Sequence, residues 1–401
     1  MAHVWSLISK DSDDDDGVGF FGSAKEGGGT PGAGCAVRLV EQRETYALFV
    51  GQKQAGKSTV ITAFHNPSKD DVPKPTVALE YLFARRSSGS NQPKDVAHIW
   101  ELGGGLRLSN LVCVPLTSLT VSKAVVTVVV DLSQPQNLLN NISQWLNILR
   151  ARAEASISEL RASDPSAADI IDRAVSARYR ADHPDRAVVR PLPISTSIVA
   201  TKLDVLRDQD QIQKKVACQM LRFVAHQYGA SLLTFSAKDK MSQNNLRAHL
   251  TSQLFGSSNT KNSKKEAGSE KPMLVPAGSD TFEEIFKSGV PAARNFSTSK
   301  GDFIDPRTGG AAANALTTWG RVLEEFFGAA TPGEDDVVMA HDGIDIGHAA
   351  SSSEYSEPFV DEARVARDEE LLLYKKEALR RARVEQSSAR KSSSSSHSRR
   401  K

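Results

Sequence analysis

The stretch that decides the fold is LFVGQKQAGKSTVI, which runs from Leu48 to Ile61. Within it, the segment 51–58 reads G-x-x-x-x-G-K-S, with the apolar run TYALFV before it and a helix-type pattern opening at Lys57 after it. In that context a glycine-rich loop cradles phosphates, because its backbone N–H groups and the helix N-terminus point at the anion. Lys57 adds a positive charge, and the Ser58 hydroxyl can ligate Mg²⁺. The predicted phosphate-binding residues are Gly51, Gln54, Ala55, Gly56, Lys57, Ser58 and Thr59.

Strand and helix patterns alternate on both sides of this loop. The run AVVTVVVDL at 124–132 is continuously apolar and β-branched, which is typical of a central parallel strand covered on both faces. Helical periodicity follows at 137–162 and at 212–229, where Gly229 ends it. This alternation predicts an α/β fold with a doubly wound, mostly parallel sheet. The other predicted strands lie within 45–50, 76–86, 95–102, 194–205 and 230–238.

Two short segments after the loop have the character of nucleotide switches. KPT ends at Thr76, where a switch threonine would bind Mg²⁺ and a γ-phosphate, so Ser58 and Thr76 are the predicted metal ligands. WELGG at 100–104 resembles the W-D-x-G-G of one branch of small GTPases. Glu101 stands where the usual aspartate would be, and Gly104 is placed to donate its N–H to a γ-phosphate.

Two later segments indicate guanine rather than adenine. TKLD at 201–204 resembles the guanine-reading N/T-K-x-D, in which Asp204 would accept from the base and Lys202 would pack over it. SAK at 236–238 resembles the last base-clamping loop, with the Ala237 N–H on guanine O6. All five segments occur in order at ends of predicted strands, so we expect a Ras-like domain that binds GDP or GTP with Mg²⁺. The predicted base-binding residues are Thr201, Lys202, Asp204, Ser236, Ala237 and Lys238.

Two features weigh against efficient hydrolysis. Small GTPases usually carry a glutamine after the D-x-x-G glycine to orient the attacking water, and here that position is Gly105. Glu101 is one methylene longer than aspartate, so its reach to a Mg²⁺-bound water is altered. No arginine is evidently placed as a finger. We therefore expect nucleotide binding without efficient turnover and no catalytic residues.

Composition narrows the class of protein. The chain has 401 residues and a net charge of +2, so nucleic acid is not an implied partner. Its three cysteines, Cys35, Cys113 and Cys218, have no metal-ligand spacing, which favours a reducing compartment. The N-terminal apolar run is too short for a signal peptide, and the longest apolar run is far below a membrane span. We expect no membrane partner.

Low-complexity stretches divide the chain. We expect an N-terminal docking segment and a flexible Gly/Asp-rich linker at 1–44, followed by the Ras-like, GTPase-like domain at 45–256. Such linkers bury too little apolar area to offset chain entropy. The remaining predicted regions are a linker at 257–279, a short helical region at 280–328, a flexible linker at 329–360, a C-terminal helix at 361–385 and a disordered basic, serine-rich tail at 386–401.

The helical region and the C-terminal helix each allow two interpretations. Asp280 and Glu283 have capping-box spacing, and large apolar residues follow on one face. The helices either cover their own domain or dock on a partner; because they lie outside the predicted α/β core, we expect an exposed interface. The apolar residues concerned are Phe282, Ile285, Phe286, Leu316, Trp319, Leu323 and Phe326, and, in the C-terminal helix, Val365, Leu372 and Leu379.

Several segments resemble the light intermediate chains of cytoplasmic dynein-2. They include GQKQAGKST, PKPTVALEY, PKDVAHIWELGGG, LRFVAHQYGASLLTFSAK and DEARVARDEELLLYK, and together they extend from about Thr45 to Lys375. WELGGG and RFVAHQYGASL are more specific than the phosphate loop, because generic GTPases lack them. The complete base-reading pair TKLD and SAK departs from relatives with eroded loops.

The resemblance implies a non-catalytic subunit that binds the tail of the dynein-2 heavy chain. It also implies the other dynein-2 intermediate and light chains and intraflagellar transport trains as partners. Retrograde transport and cilium assembly would then place the chain in the cytoplasm, the cilium or flagellum, the basal body and the cytoskeleton. The alternative is an active regulatory GTPase, favoured by Ser58, Thr76 and the base-reading segments. A nucleic-acid ATPase is disfavoured by the charge and by TKLD.

Overall fold

The structure is a computed structural model of the chain. It describes residues 43–66, 73–87, 94–256, 265–268, 271–287 and 310–330, together with separate positions between 359 and 380.

A seven-stranded sheet forms the centre of the described chain. The strands are β1 (Glu44–Gly51), β2 (Leu79–Arg86), β3 (Asp95–Leu102), β4 (Ala124–Asp131), β5 (Ser195–Thr201), β6 (Ser231–Thr234) and β7 (Leu274–Val275). Their order is β2-β3-β1-β4-β5-β6-β7. The five inner strands are parallel, whereas β2 and β7 run antiparallel at the two edges. This arrangement confirms the predicted mostly parallel α/β sheet.

Helices cover both faces of the sheet. They are α1 (Lys57–His65), α2 (Leu138–Ser163), α3 (Pro165–Ser176), α4 (Leu203–Arg207), α5 (Gln211–Gln227), α6 (Lys240–Phe255), α7 (Phe282–Phe286) and α8 (Gly310–Phe327). Apolar residues of α1 and α6 pack on one face, and those of α2, α5, α7 and α8 pack on the other. Within the described part of the chain, none of the helices combines the length and the apolar character that a membrane crossing requires.

The centre of the sheet brings the carboxyl ends of its strands to the phosphate loop. Seven of the eight residues of β4 are buried, as its β-branched run predicts. In the register of the parallel strands, Gly51 lies opposite Val129 of β4. A β-carbon at Gly51 would lie 2.1 Å from the Val129 carbonyl oxygen, so glycine is required for this close approach.

The expectation that the large apolar residues of 280–328 are exposed is wrong. Trp319 and Ile285 are completely buried, and Phe282 is almost so. The Trp319 ring lies 6.0 Å from that of Phe223 on α5 and 6.5 Å from that of Phe286. Because α5 presents its own apolar face outward from the sheet, α7 and α8 form a further layer over it. These helices therefore cover their own domain, and β7, from the segment interpreted as a linker, extends its sheet.

The predicted capping box at Asp280 is also wrong. Thr281 is the N-cap of α7, and its hydroxyl accepts from the Glu284 N–H at 3.1 Å. Asp280 is instead buried and forms a two-pronged ion pair with Arg222 of α5, at 2.7 and 2.6 Å. The carboxylate is thus taken by a partner from another element, which local spacing cannot reveal.

The N-terminal segment at 1–42 and the tail beyond 380 lie outside the described residues. In the predicted C-terminal helix the described positions are helical and exposed, including Val365, Leu373 and Tyr374. Leu372 and Leu379 lie outside the described residues, so the docking of this helix stays a prediction.

Candidate functional site: a phosphate loop and a base-reading cluster

The phosphate loop has the backbone shape that phosphate binding requires. It connects β1 to α1, and two of its residues after Gly51, namely Gln54 (φ 62°) and Gly56 (φ 90°), adopt left-handed backbone conformations. Such turns direct successive N–H groups into one concavity, and α1 begins immediately at Lys57. The loop therefore presents the helix N-terminus and its own N–H groups to the same space.

Lys57 is held across this loop by backbone carbonyls. Its Nζ donates to the Gly51 oxygen at 3.0 Å and to the Gln52 oxygen at 2.9 Å. The side chain is buried, so its charge acts in a medium where electrostatic attraction is stronger than in water. An anionic phosphate entering the loop would find a cation already positioned there.

Ser58, one of the two predicted metal ligands, bonds to a carboxylate: its Oγ donates to Glu101 Oε1 at 2.6 Å. Thr76, the other, lines the same cavity as Ser58 and Glu101. Burial raises the pKa of Glu101, although the hydroxyls of Ser58 and Thr76 act in the opposite direction. Two hydroxyl oxygens beside a carboxylate form a hard donor set that fits Mg²⁺. Ser58 and Thr76 would bind the ion, with Glu101 accepting the hydrogen bond from the Ser58 hydroxyl.

The segment that carries Thr76 is packed directly against β3. The Gly103 N–H donates to the Ala78 oxygen at 2.6 Å, and a β-carbon at Gly103 would lie 2.4 Å from the Thr76 oxygen. Thr76 Oγ1 donates to Glu80 Oε2 at 3.1 Å. The switch-like segment therefore has direct contacts with the end of β3 and with Glu80.

These elements enclose a cavity of about 660 Å³. Its lining includes Lys57, Ser58, Thr76, Glu101 and Gly104, all of which the sequence predicted. It also includes basic residues that the sequence reasoning missed, namely Lys53, Lys74 and Arg107. Arg107 follows Gly105 by two residues and lines the cavity, whereas the sequence placed no arginine as a finger. The net charge of the chain does not indicate this basic cluster, since the fold brings its residues together.

The predicted base-binding residues form a second cluster that is bonded to the loop. Thr201, at the end of β5, donates from Oγ1 to the Ala55 oxygen at 2.6 Å and is within 3.0 Å of the Val130 oxygen. The residues of TKLD and SAK do not line the 660 Å³ cavity. Thr201 therefore connects this cluster to the phosphate loop.

The two base-reading segments bond to each other. Asp204 accepts from Ser236 Oγ at 2.9 Å and from Lys238 Nζ at 2.7 Å. The hydrogen bond from Lys238 lowers the pKa of Asp204, so this carboxylate is ionised and able to accept from a guanine edge. Ala237 lies between Ser236 and Lys238 in the chain, and its carbonyl accepts from Gln243 at 2.6 Å.

Asp131, the last residue of β4, belongs to this cluster although the sequence reasoning missed it. Its carboxylate forms an ion pair with Lys202. Asp131 and Thr201 lie opposite each other in the register of β4 and β5. The sequence signal for Asp131 was an acidic residue at the end of a predicted strand, two residues before Ser133.

Fold and site together define a P-loop domain of the Ras-like class. The family model "Ras of Complex, Roc, domain of DAPkinase" matches residues 47–160. Cytoplasmic dynein 2 light intermediate chain 1 of Danio rerio is 35% identical over 330 residues, covering 82% of this chain and 85% of that protein. The human protein of that name is 32% identical, covering 84% of this chain and 89% of that protein. This chain therefore belongs to the family of cytoplasmic dynein 2 light intermediate chains.

A solved structure is also similar to this chain. "Crystal Structure of the Dynein Light Intermediate Chain's Conserved Domain" is 17% identical, with a TM-score of 0.48, covering 64% of this chain and 90% of that chain.

Proposed function

We propose that this chain is a non-catalytic subunit of the dynein-2 motor that binds and stabilises the heavy-chain tail. The observation that carries the proposal is the 35% identity over 82% of the chain to a cytoplasmic dynein 2 light intermediate chain. In this role the chain acts in retrograde intraflagellar transport and cilium assembly, together with the other intermediate and light chains. It works in the cytoplasm and cilium, at the basal body and on the microtubule cytoskeleton.

In this subunit guanine nucleotide is a bound group rather than a substrate for hydrolysis. Gly105 has no side chain to orient a water, and Arg107 adds positive charge without replacing that group. Thr76 donates to Glu80, and the Gly103 N–H donates to the Ala78 oxygen two residues further on, so the switch-like segment has bonds of its own to the sheet. Both features support a scaffold over a switch.

The alternative is an active regulatory GTPase. Its supporting observations are Ser58 and Thr76 beside Glu101, and the bonded cluster of Asp204 with Ser236. An active switch must bind its partner differently in the GDP and GTP states, because a ligand shifts an equilibrium only by its differential affinity. A scaffold has no such requirement.

An assembly experiment tests the proposal. We expect the tagged full chain, expressed in ciliated cells, to co-purify the dynein-2 heavy chain, and we expect loading with GDP or with a non-hydrolysable GTP analogue to change the yield by less than twofold. Quantitative mass spectrometry measures the yield, with a tagged unrelated P-loop protein as control. Failure to recover the heavy chain would overturn the proposal, and a tenfold difference between nucleotides would favour the active switch.

A nucleotide experiment tests the site. We expect the full chain to bind GDP or GTP with Mg²⁺, and Lys57→Ala to weaken binding at least a hundredfold, because a buried cation that faces phosphate is lost. Isothermal calorimetry measures this, with the exposed Lys123→Ala as the matched control. The absence of a calorimetric signal would contradict the expected binding.

We expect multiple-turnover hydrolysis of GTP by the full chain to be far slower than one per second. Turnover near one per second without a partner would contradict this expectation.

A further inference from the structure

The ion pair between Lys202 and Asp131 connects two neighbouring strands at the base-reading cluster. Lys202 Nζ contacts Asp131 Oδ2, with 40% of the lysine side chain exposed but only 14% of the aspartate side chain. The acid is therefore the fixed member of the pair, and the lysine reaches from the surface to meet it.

Asp131 is fixed by a bond network of its own. Its Oδ1 accepts from the Ser133 backbone N–H at 2.8 Å and from Ser133 Oγ at 2.6 Å. Each carboxylate oxygen thus has a donor, and the side chain cannot turn away without breaking two hydrogen bonds. This leaves Oδ2 aimed at Lys202.

The backbone of Lys202 is equally constrained. Its φ of 57° and ψ of 39° lie in the left-handed region, which few residues other than glycine adopt. Bonds on both sides hold it there: the Thr201 hydroxyl contacts the Ala55 oxygen, and the Leu203 N–H donates to the Phe235 oxygen at 3.1 Å. With the backbone fixed, the remaining freedom is in the four-carbon side chain, whose rotamer entropy is large.

We propose that Asp131 is a positioning residue for the nucleotide base. By holding the Lys202 ammonium, it extends the lysine stem so that its methylene groups cover one face of the purine. Asp204 bonds to the edge of the base, whereas Asp131 acts only through the Lys202 side chain that covers the face of the base. The inference rests on the proposed guanine-nucleotide site and adds a residue to it.

The variant Asp131→Asn tests this role. The amide oxygen still accepts from Ser133, but the amide nitrogen cannot accept from the Lys202 ammonium. We expect the dissociation constant of the full chain for GDP to rise about tenfold, measured by calorimetry at fixed ionic strength. The control Asp172→Asn, which removes an exposed ion pair with Arg161 on α2, should leave GDP affinity unchanged.

A double-mutant cycle separates positioning from a structural role. Lys202→Met alone should weaken GDP binding by a similar factor, and adding Asp131→Asn to it should then change affinity by less than twofold. A further tenfold loss in the Lys202→Met background would show that Asp131 acts elsewhere, and would overturn the inference. This readout remains decisive even if Asp131→Asn lowers thermal stability.

A change of base tests whether the face or the edge is involved. Asp204→Asn should shift preference from guanine to xanthine, because it reverses the hydrogen bonding to the base edge. In that background Asp131→Asn should still weaken xanthosine diphosphate binding about tenfold, and an unchanged affinity would contradict the inference. If the unmodified chain binds GDP but Asp131→Asn binds as tightly, only this inference fails. Absence of GDP binding by the unmodified chain overturns the nucleotide site itself.

Discussion

Trp319→Ala is expected to lower the free energy of unfolding of the domain by about 3–5 kcal/mol, because removing a large buried aromatic leaves a cavity. Trp319 is completely buried, and its ring packs against Phe223 and Phe286. It is a central residue of the contact between α8 and the layer formed by α5 and α7. The loss would be a large part of the stability of an ordinary domain, which is about 5–15 kcal/mol.

Urea denaturation of the full chain, followed by circular dichroism with and without GDP, measures this effect. Tyr374→Ala is the matched control, since that aromatic side chain is 70% exposed and its loss should change stability by no more than about 0.5 kcal/mol. Truncation before Gly310 should have a still larger effect, because it exposes the α5 surface that α8 covers. A loss below about 1 kcal/mol for Trp319→Ala would return α8 to the role of an independent docking helix.

Asp280→Ala is expected to destabilise the domain by about 3–5 kcal/mol, since it leaves a buried guanidinium without its partner. The side chains of Arg222 and Asp280 are only 9% and 3% exposed. Lys265 adds a second ion pair to Asp280 at 2.9 Å. The carboxylate thus connects α5, the start of α7 and the segment at 265–268.

A double variant separates the lost partner from the lost packing. Arg222→Met combined with Asp280→Leu removes both charges, and we expect it to recover most of the stability, because apolar residues of similar volume replace buried ion pairs well. Glu283→Ala removes an exposed carboxylate nearby and serves as the control. Equal destabilisation by the double variant and by Asp280→Ala would show that the ion pair is not the cause.

The same ion pair gives the stability a dependence on pH. Burial by itself raises the pKa of Asp280, but the hydrogen bonds and charges of Arg222 and Lys265 outweigh it and lower the pKa on balance. A carboxyl whose pKa is lower in the folded state stabilises the protein above its unfolded pKa of about 4 and loses that contribution as pH falls through the folded value. The double variant should therefore lose less stability between pH 5 and pH 2 than the unmodified chain.

The sequence determined the elements whose signals are local. The motif at 51–58 specifies the phosphate loop, because its glycines and its position between a strand and a helix are readable without neighbours. The β-branched run of β4 predicts a central strand, since only a strand covered on both faces is apolar at every position. The five ordered segments likewise predict which residues approach a guanine nucleotide.

Only the tertiary structure decided what covers each apolar face and which charges meet. The stripe that contains Trp319 is equally compatible with an exposed interface and with a buried layer, and the exposed face of α5 selects the second. Asp131 and Lys202 are 71 residues apart, and Arg222 and Asp280 are 58 apart. Such pairs form because strand order and helix packing bring them together, and hydrophobic periodicity along the chain contains no information about that order.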